Sequence, residues 1–463
     1  MTKGNDLGHD PIGRLVLRLA IPSMIAQFVN VLYSIIDRMY IGNIPSTGGL
    51  ALAGVGVCGP IVTLLSSFGT LVGLGGSILM AMRMGEGNKE MAKKLLANSF
   101  LMLTVFSFIL TVVFLITKNK LLMWFGASEA TFYYANTYLS IYTAGTFFAL
   151  MAMGLNYFIN CQGFSTVGMM SVVIGAVSNI ILDPIFIFVF NMGVAGAAVA
   201  TVMSQILSFL FAASFLFGKR PPIKITFGGY SLKLWLKIIS IGISPFIILA
   251  TDSIIIIVMN AVLQRTGGAD GDTLITCVTI VQSYFMLITC PMIGISGGTQ
   301  AIISFNYGAC ESDRIRKAEK DILLLCIGFT TVMFIVSRLV PQYFVALFTS
   351  SAEYTALSVW GIKVFTLAIV PLSFQYVLVD GLTALGRTKT ALFFSINRKC
   401  VYCIAIVAFA FLFGAKNAFY AQPAADFVCS CISTAGFWVV FNKHLKKREE
   451  LCGKSVKLHS VSL

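Results

Sequence analysis

Of the 463 residues of this chain, 57% are hydrophobic and only 11% charged, with a mean hydropathy of +0.88, whereas a soluble domain carries about 25% charged residues. That composition excludes an ordinary cytosolic protein. The net charge of +14 would suggest nucleic acid in a soluble chain, but the placement of the basic residues argues for a membrane topology, and no nucleic-acid partner is assigned.

A hydrocarbon core of ~30 Å needs about 20 apolar residues per helix. Twelve such stretches, bounded by charged or Gly/Pro-rich breaks, can be drawn: Leu15 to Ile41, Ala53 to Met82, Leu95 to Thr117, Tyr138 to Asn160, Met169 to Phe190, Val194 to Phe217, Leu236 to Leu263, Leu274 to Ser304, Ile322 to Ala346, Ser358 to Ala384, Leu392 to Phe413 and Phe419 to Phe441. Met1 to Asp10 is polar and the run after it is long enough to span, so no cleavable signal is read there and the first span directs insertion. Most of the 33 Lys and Arg fall in the termini and the even-numbered connections, among them Lys89, Lys93, Lys94, Lys219, Arg314 and Lys317. The odd-numbered connections hold Lys118, Lys120, Arg265, Arg338, Lys363 and Lys416. By the positive-inside rule both termini are cytoplasmic, as an even number of spans requires, and the expected location is the plasma membrane. The eleven cysteines are scattered mostly through apolar segments, and neither a disulfide nor a metal role is assigned to them.

The polar interruption Gly218 to Lys233 divides the spans six and six. At a common offset of 223 residues, Pro22 falls on Pro245, Gly75 on Gly298, Gly85 on Gly308 and Gly163 on Gly386. Halves with an even number of spans enter the membrane in the same direction. The expected fold is therefore an all-α polytopic membrane protein, its twelve transmembrane helices forming two six-helix bundles related by a pseudo-twofold axis along the membrane normal. The expected divisions are an N-terminal bundle over residues 1–217, a cytoplasmic linker over 218–235, a C-terminal bundle over 236–442 and a basic cytoplasmic tail over 443–463.

A carboxylate within a span costs about 2.5–3.5 kcal/mol on insertion scales, so each asks for a partner or a function. Asp37 in span one, Asp183 in span five, Asp252 in span seven and Asp380 in span ten stand out. Asp37 shares a helix face with Asn30 and Tyr33, and Asn179 and Asp183 are an i, i+4 pair. Pro184 lacks an amide hydrogen and frees a carbonyl one turn back, near Ile180. Two carboxylates, an amide oxygen and a free carbonyl would suit a small hard cation or a shared proton. The competing reading pairs Asp37 with Arg38 and leaves Asp183 capping a kink.

Several stretches together resemble the multidrug and toxic compound extrusion (MATE) family over nearly the whole length. They are Arg18-Leu19-Ala20-Ile21-Pro22 opening span one, Asn179 to Pro184 in span five, Gly193 to Thr201 entering span six, and the loops Met84-Gly85-Glu86-Gly87 and Asn306-Tyr307-Gly308-Ala309. In the DinF-like branch the resemblance implies a cation site inside the N-terminal bundle, built here from Asp37, Asn179, Asp183 and Thr201, with Asn30, Tyr33, Tyr138 and Asn156 lining or supporting the pocket. At the repeat offset Asp37 falls on Asn260, so the second bundle lacks the matching acid. Some relatives carry a Glu in span seven where this chain has Ser253, one residue after Asp252, which puts their C-terminal cation site in doubt. Asp252 and Asp380 remain candidates for contact with a cationic substrate.

The resemblance implies a secondary-active multidrug exporter, with no catalytic residues and no cofactor, that moves small lipophilic cationic compounds by alternating access in exchange for H⁺ or Na⁺. It is expected to act as a monomer among membrane lipids. No phosphate-binding loop is present, since Gly453-Lys454-Ser455 follows no glycine at the required spacing. An intramembrane enzyme lacks support because His9, His444 and His459 lie in the tails or at a membrane edge. A lipid-linked glycan flippase is the alternative, but such proteins tend to have a more basic cavity, and the spans here hold few cations, chiefly Arg38, Arg338, Lys363, Arg398 and Lys399. The topology predicts that Cys at Thr47 is labelled from outside intact cells, while Cys at Asn88 is labelled only after permeabilisation; the reverse pattern would overturn it.

Overall fold

A computed structural model describes residues 4–348 and 351–461, without the side chains of Asp252, Ser253, Ile257, Ala269, Asp272 and residues 453–461. Helices dominate, and no strand occurs among the described residues. In chain order they are α1 (Ile12–Gly42), α2 (Gly48–Gly85), α3 (Lys89–Trp124), α4 (Glu129–Ala144), α5 (Thr146–Asn160), α6 (Ser165–Pro184), α7 (Gly193–Phe217), α8 (Leu232–Thr266), α9 (Gly271–Gly308), α10 (Ser312–Leu339), α11 (Pro341–Val345), α12 (Ala352–Phe365), α13 (Ile369–Ala384), α14 (Thr388–Phe413) and α15 (Ala421–Val461). Ten are long and apolar enough to cross a membrane, and the count reaches twelve if the bent pairs α4/α5 and α12/α13 are one span each. Those pairs bend by 57° and 50°. They fall on the fourth and tenth predicted spans, so both halves break the same element.

The polarity of the helices follows from a solvent that cannot hydrogen-bond. Backbone groups are satisfied within each helix, and the outward faces are apolar. On α3, Phe108, Val112 and Ile116 stand exposed at helical spacing, while Asn98, Ser99, Met102, Leu103 and Ser107 are buried on the opposite face. An exposed stripe of that kind would be a liability in water and is the lipid face here. The last helix runs beyond the predicted end of span twelve, so much of the basic tail is a continuation of α15.

The chain forms two compact units, one of residues 1–10 and 21–250, the other of 11–20 and 251–463. The boundary lies within α8, beyond the polar linker. In the first unit the linker is tied down by Asn98, whose Nδ2 donates to the Gly229 carbonyl at 3.1 Å and whose Oδ1 accepts from the Ser231 amide at 2.9 Å. Gln162 Oε1 likewise accepts from the Ile223 amide at 2.9 Å. The first half of α8 stays with this unit because glycines let it lie directly on α2: a Cβ on Gly75 would sit 2.4 Å from the Ile238 carbonyl oxygen and 2.9 Å from the Gly242 amide nitrogen. In the second unit the core gathers Met259, Leu263, Val281, Ile362, Phe365 and Phe419.

One expectation is corrected. Cys310 and Cys452 are joined in a disulfide. The extension of α15 carries Cys452 back to the turn after α9, a closure across 142 residues that no local spacing announces.

The α2–α8 contact makes Gly75→Val a test of packing. Backbone atoms cannot move aside as a side-chain tip can, so the substitution is expected to cost about 1–3 kcal/mol and to lower the thermal unfolding midpoint of the purified protein. Gly56→Val, where an added Cβ meets nothing within 4 Å, should leave the midpoint nearly unchanged.

Candidate functional site

Helices α1, α4, α6 and α7 of the first unit converge on the polar residues singled out from the sequence. Asp37 lies in the penultimate turn of α1. Asn179 and Asp183 occupy the last two turns of α6, where Pro184 cannot donate to the Ile180 carbonyl and the chain continues as a π-helical turn, Ile185–Val189. Asp183 is fully buried and Asn179 nearly so. Asn179 Nδ2 donates to Asp183 Oδ1 at 3.2 Å. The carboxyl groups of Asp37 and Asp183 lie close enough to interact directly, so spans one and five approach each other at this point.

Around this pair stand three tyrosines. Tyr33, one turn before Asp37, lies within electrostatic reach of both carboxyls and of Tyr142. Tyr138 is near Asp37 and Tyr33, and its hydroxyl pairs with that of Thr201, which also donates to the Ala197 carbonyl at 2.9 Å. Tyr142 stacks on Tyr138 with ring centroids 6.3 Å apart and accepts from Gln205 Nε2 at 3.4 Å.

The site is rich in acceptors and poor in donors. Asp37 Oδ1, Asp183 Oδ2, Asn179 Oδ1 and Gln205 Oε1 are buried with no hydrogen-bond partner. Arg38, beside Asp37 in sequence, is exposed. Two carboxylates facing each other in a poorly solvated site resist ionising together. A proton shared between them would supply the missing donor, and a small monovalent cation would satisfy several of the oxygens at once.

Other residues read from the sequence lie elsewhere. Asn30 is exposed on α1. Asn156 joins α5 to the start of α6, donating to the Gly168 carbonyl at 2.7 Å and accepting from Asn160 Nδ2 at 2.8 Å. Gly168 is roughly 20 Å from Asp183 along α6 at 1.5 Å per residue. Asn260 is half-buried on α8 in the second unit. Asp380, also in that unit, accepts from Ser296 Oγ at 2.5 Å. The side chain of Asp252 lies outside the described residues.

Two buried acids escaped the sequence reading. Asp426, fully buried in α15, pairs with Arg398 of α14 at 3.1 Å and accepts from Gln422 Nε2 at 2.6 Å. It lies inside the predicted last span, and the Arg398 of the span before it was the available signal. Glu319, 4% exposed on α10, sits just before the predicted ninth span, inside a charged segment that hides it.

A multi-pass helical membrane protein with paired carboxyls inside one helical unit is the class that fold and site define. The MatE family model matches residues 22–185 and 246–414, and the chain belongs to that family. It is similar to the Multidrug export protein MepA of Staphylococcus haemolyticus (strain JCSC1435), 23% identical over 432 residues spanning 91% of this chain and 92% of the relative. The same protein of Staphylococcus aureus (strain MSSA476) is 21% identical over 434 residues, with 91% and 92% covered. Among solved structures, a multidrug resistance MATE family transporter of the MOP superfamily in an outward-facing conformation superposes with a TM-score of 0.89 at 23% identity, covering 96% of this chain and 99% of that one. A MOP superfamily transporter from Pyrococcus furiosus gives 0.88 at 23% identity, with 96% and 99% covered.

If the two carboxyls act as a unit, Asp37→Asn and Asp183→Asn should each abolish most gradient-driven export at equal expression, because the amide keeps the shape and removes the titrating group. Export and membrane content measured together check this, and near-normal export by either variant counts against the pair.

Proposed function

We propose that this protein is a secondary-active exporter of small lipophilic, cationic compounds, working by alternating access in exchange for H⁺ or Na⁺. The observation that carries the reading is the facing pair Asp37 and Asp183 with its partnerless oxygens. A site of this kind binds or releases a cation according to its surroundings, and a gradient of 100 mV contributes about 2.3 kcal/mol per charge moved. The names of the MepA relatives support export of drug-like compounds. The protein works in the plasma membrane as a monomer with both termini cytoplasmic. Coupling resides in Asp37, Asn179, Asp183 and Thr201, with Tyr33 and Tyr138 closing the pocket.

Uptake of a fluorescent cationic dye into inverted vesicles, with and without Na⁺, tests the proposal and separates the two ions. Absence of uptake under either gradient would remove the antiporter reading.

The halves should respond unequally. Asn260→Ala is expected to impair dye export much less than Asp37→Ala, because an amide cannot titrate in the physiological range. Loss of Asp37 should also flatten the pH dependence of dye binding between about pH 5.5 and 8, where perturbed carboxylates titrate, while Asn260→Ala leaves it intact. Equal losses would show that coupling is not confined to the first unit.

A further inference from the structure

The second unit contains a carboxylate that the reading above does not use. Helix α10 is amphipathic: Ile315, Ala318, Ile322 and Cys326 form its buried face, while Arg316, Lys317 and Lys320 are exposed. Glu319 stands on the buried face, 4% exposed, and neither of its carboxyl oxygens has a hydrogen-bond partner. Its sequence neighbour Lys320 is exposed, whereas Glu319 is turned inward. Its seat is shaped by Gly381 of α13, where a Cβ would lie 2.4 Å and 2.7 Å from the two carboxyl oxygens. Any larger residue there would displace the acid.

The neighbours of that seat are oxygen-rich. Asp380, next to Gly381, lies within electrostatic reach of Glu319 and accepts from Ser296 Oγ of α9 at 2.5 Å. Gln300, one turn further along α9, pairs with Asp380; it is 4% exposed and its Oε1 has no partner. Asp380 is the titratable group that α13 presents to Glu319, and Cys326 is the one on α10 itself. Helix α9 offers neutral Ser296 and Gln300. On α12, Lys363 lies at the far end of α10, where Arg338 donates to its carbonyl, and Glu353 is within electrostatic reach of Cys277 on α9; on α15, Glu449 pairs with the exposed Arg316 at 3.6 Å. Asp321 flanks Gly13 of α1, with Oδ2 3.6 Å from an added Cβ there. No cation among these faces Glu319.

We propose that Glu319 and Asp380, with Gln300 and Ser296, form a second proton-binding site, in the second helical unit and separate from the Asp37–Asp183 pair. An ionised carboxylate stripped of water and given no donor is strongly disfavoured. A proton on Glu319 removes that charge and turns the group into a donor for the partnerless Gln300 Oε1 or for Asp380. No group of three or more His, Cys, Asp or Glu that would hold a metal ion occurs among the described residues, and the site needs a single proton to be satisfied. The proposal does not depend on what the protein exports.

Infrared difference spectroscopy of the purified full-length protein, titrated from about pH 5 to 9 to bracket the range of perturbed carboxyls, reads the proton directly. The expected result is a carboxylic-acid carbonyl band that responds to H/D exchange, is missing in Glu319→Gln and persists in Asp37→Asn and Asp183→Asn. Asp380→Asn, which leaves Glu319 in place, should shift the frequency of that band, and this carries the test if Glu319→Gln does not fold. A carboxylic-acid region that Glu319→Gln leaves unchanged, a band indifferent to Asp380→Asn, or erasure of the band by Na⁺ at constant pH would each overturn the proposal.

Discussion

A buried acid in this protein is neutralised either by donors the chain itself brings or by a mobile ion, because hydrocarbon supplies neither water nor counterion. The structure contains different solutions to that problem. Asp426 has a full set of partners, a guanidinium from Arg398 and an amide from Gln422. Asp380 has the Ser296 hydroxyl and the Gln300 side chain. Asp183 has only an amide and another acid, and Glu319 has no donor at all. This ordering separates structure from chemistry. A fully partnered acid locks two helices together, whereas an acid lacking donors is stable only when something mobile arrives.

The packing of the first unit serves the same constraint. Asp37 and Asp183 can face each other only if α1 and α6 approach at that level, and α6 ends there in a proline followed by a π-helical turn. Pro184 withdraws one donor from the helix and leaves the Ile180 carbonyl without its usual partner, adding another acceptor beside a site already short of donors. Helix α7 closes the site with Thr201, whose hydroxyl donates to the Ala197 carbonyl one turn back and pairs with the Tyr138 hydroxyl.

Much of this was legible in the sequence because the bilayer imposes a length and a polarity on each span. The twelve apolar runs coincide with the helices; Asp37 and Asp183 were found because charged residues are rare in such runs and Asn179 by its i, i+4 spacing to Asp183, whereas Thr201 came only from the family resemblance. The fourth and tenth spans read as continuous because hydropathy reports composition and not axis direction: Gly145 is packed against Val202, a contact invisible to a sliding window. Glu319 was hidden for the opposite reason. Its neighbours Lys317, Lys320 and Asp321 make the segment look solvated, and the side of the helix they occupy emerges only when α10 is packed against α13. Cys310 and Cys452 pair through the course of α15, a property of the whole chain.

The two acidic clusters are not copies of one another. At the repeat offset Glu319 corresponds to Leu96, which is fully buried, and Asp380 to Tyr157, so neither acid of the second unit has a counterpart in the first, and Asp37 meets Asn260 in return. The repeat offset therefore aligns helices without aligning these acids. For a facing pair of ionised carboxyls in general, the scale of the repulsion can be set. Two unit charges 4 Å apart at an effective dielectric constant of 20 repel by about 4 kcal/mol, the same order as the ~2.3 kcal/mol that 100 mV supplies per charge. On the proposed reading, losing the shared proton raises a repulsion between Asp37 and Asp183 whose energy is comparable to what the gradient supplies. A much stronger repulsion would hold the proton against the gradient, and a much weaker one would leave the helices indifferent to it.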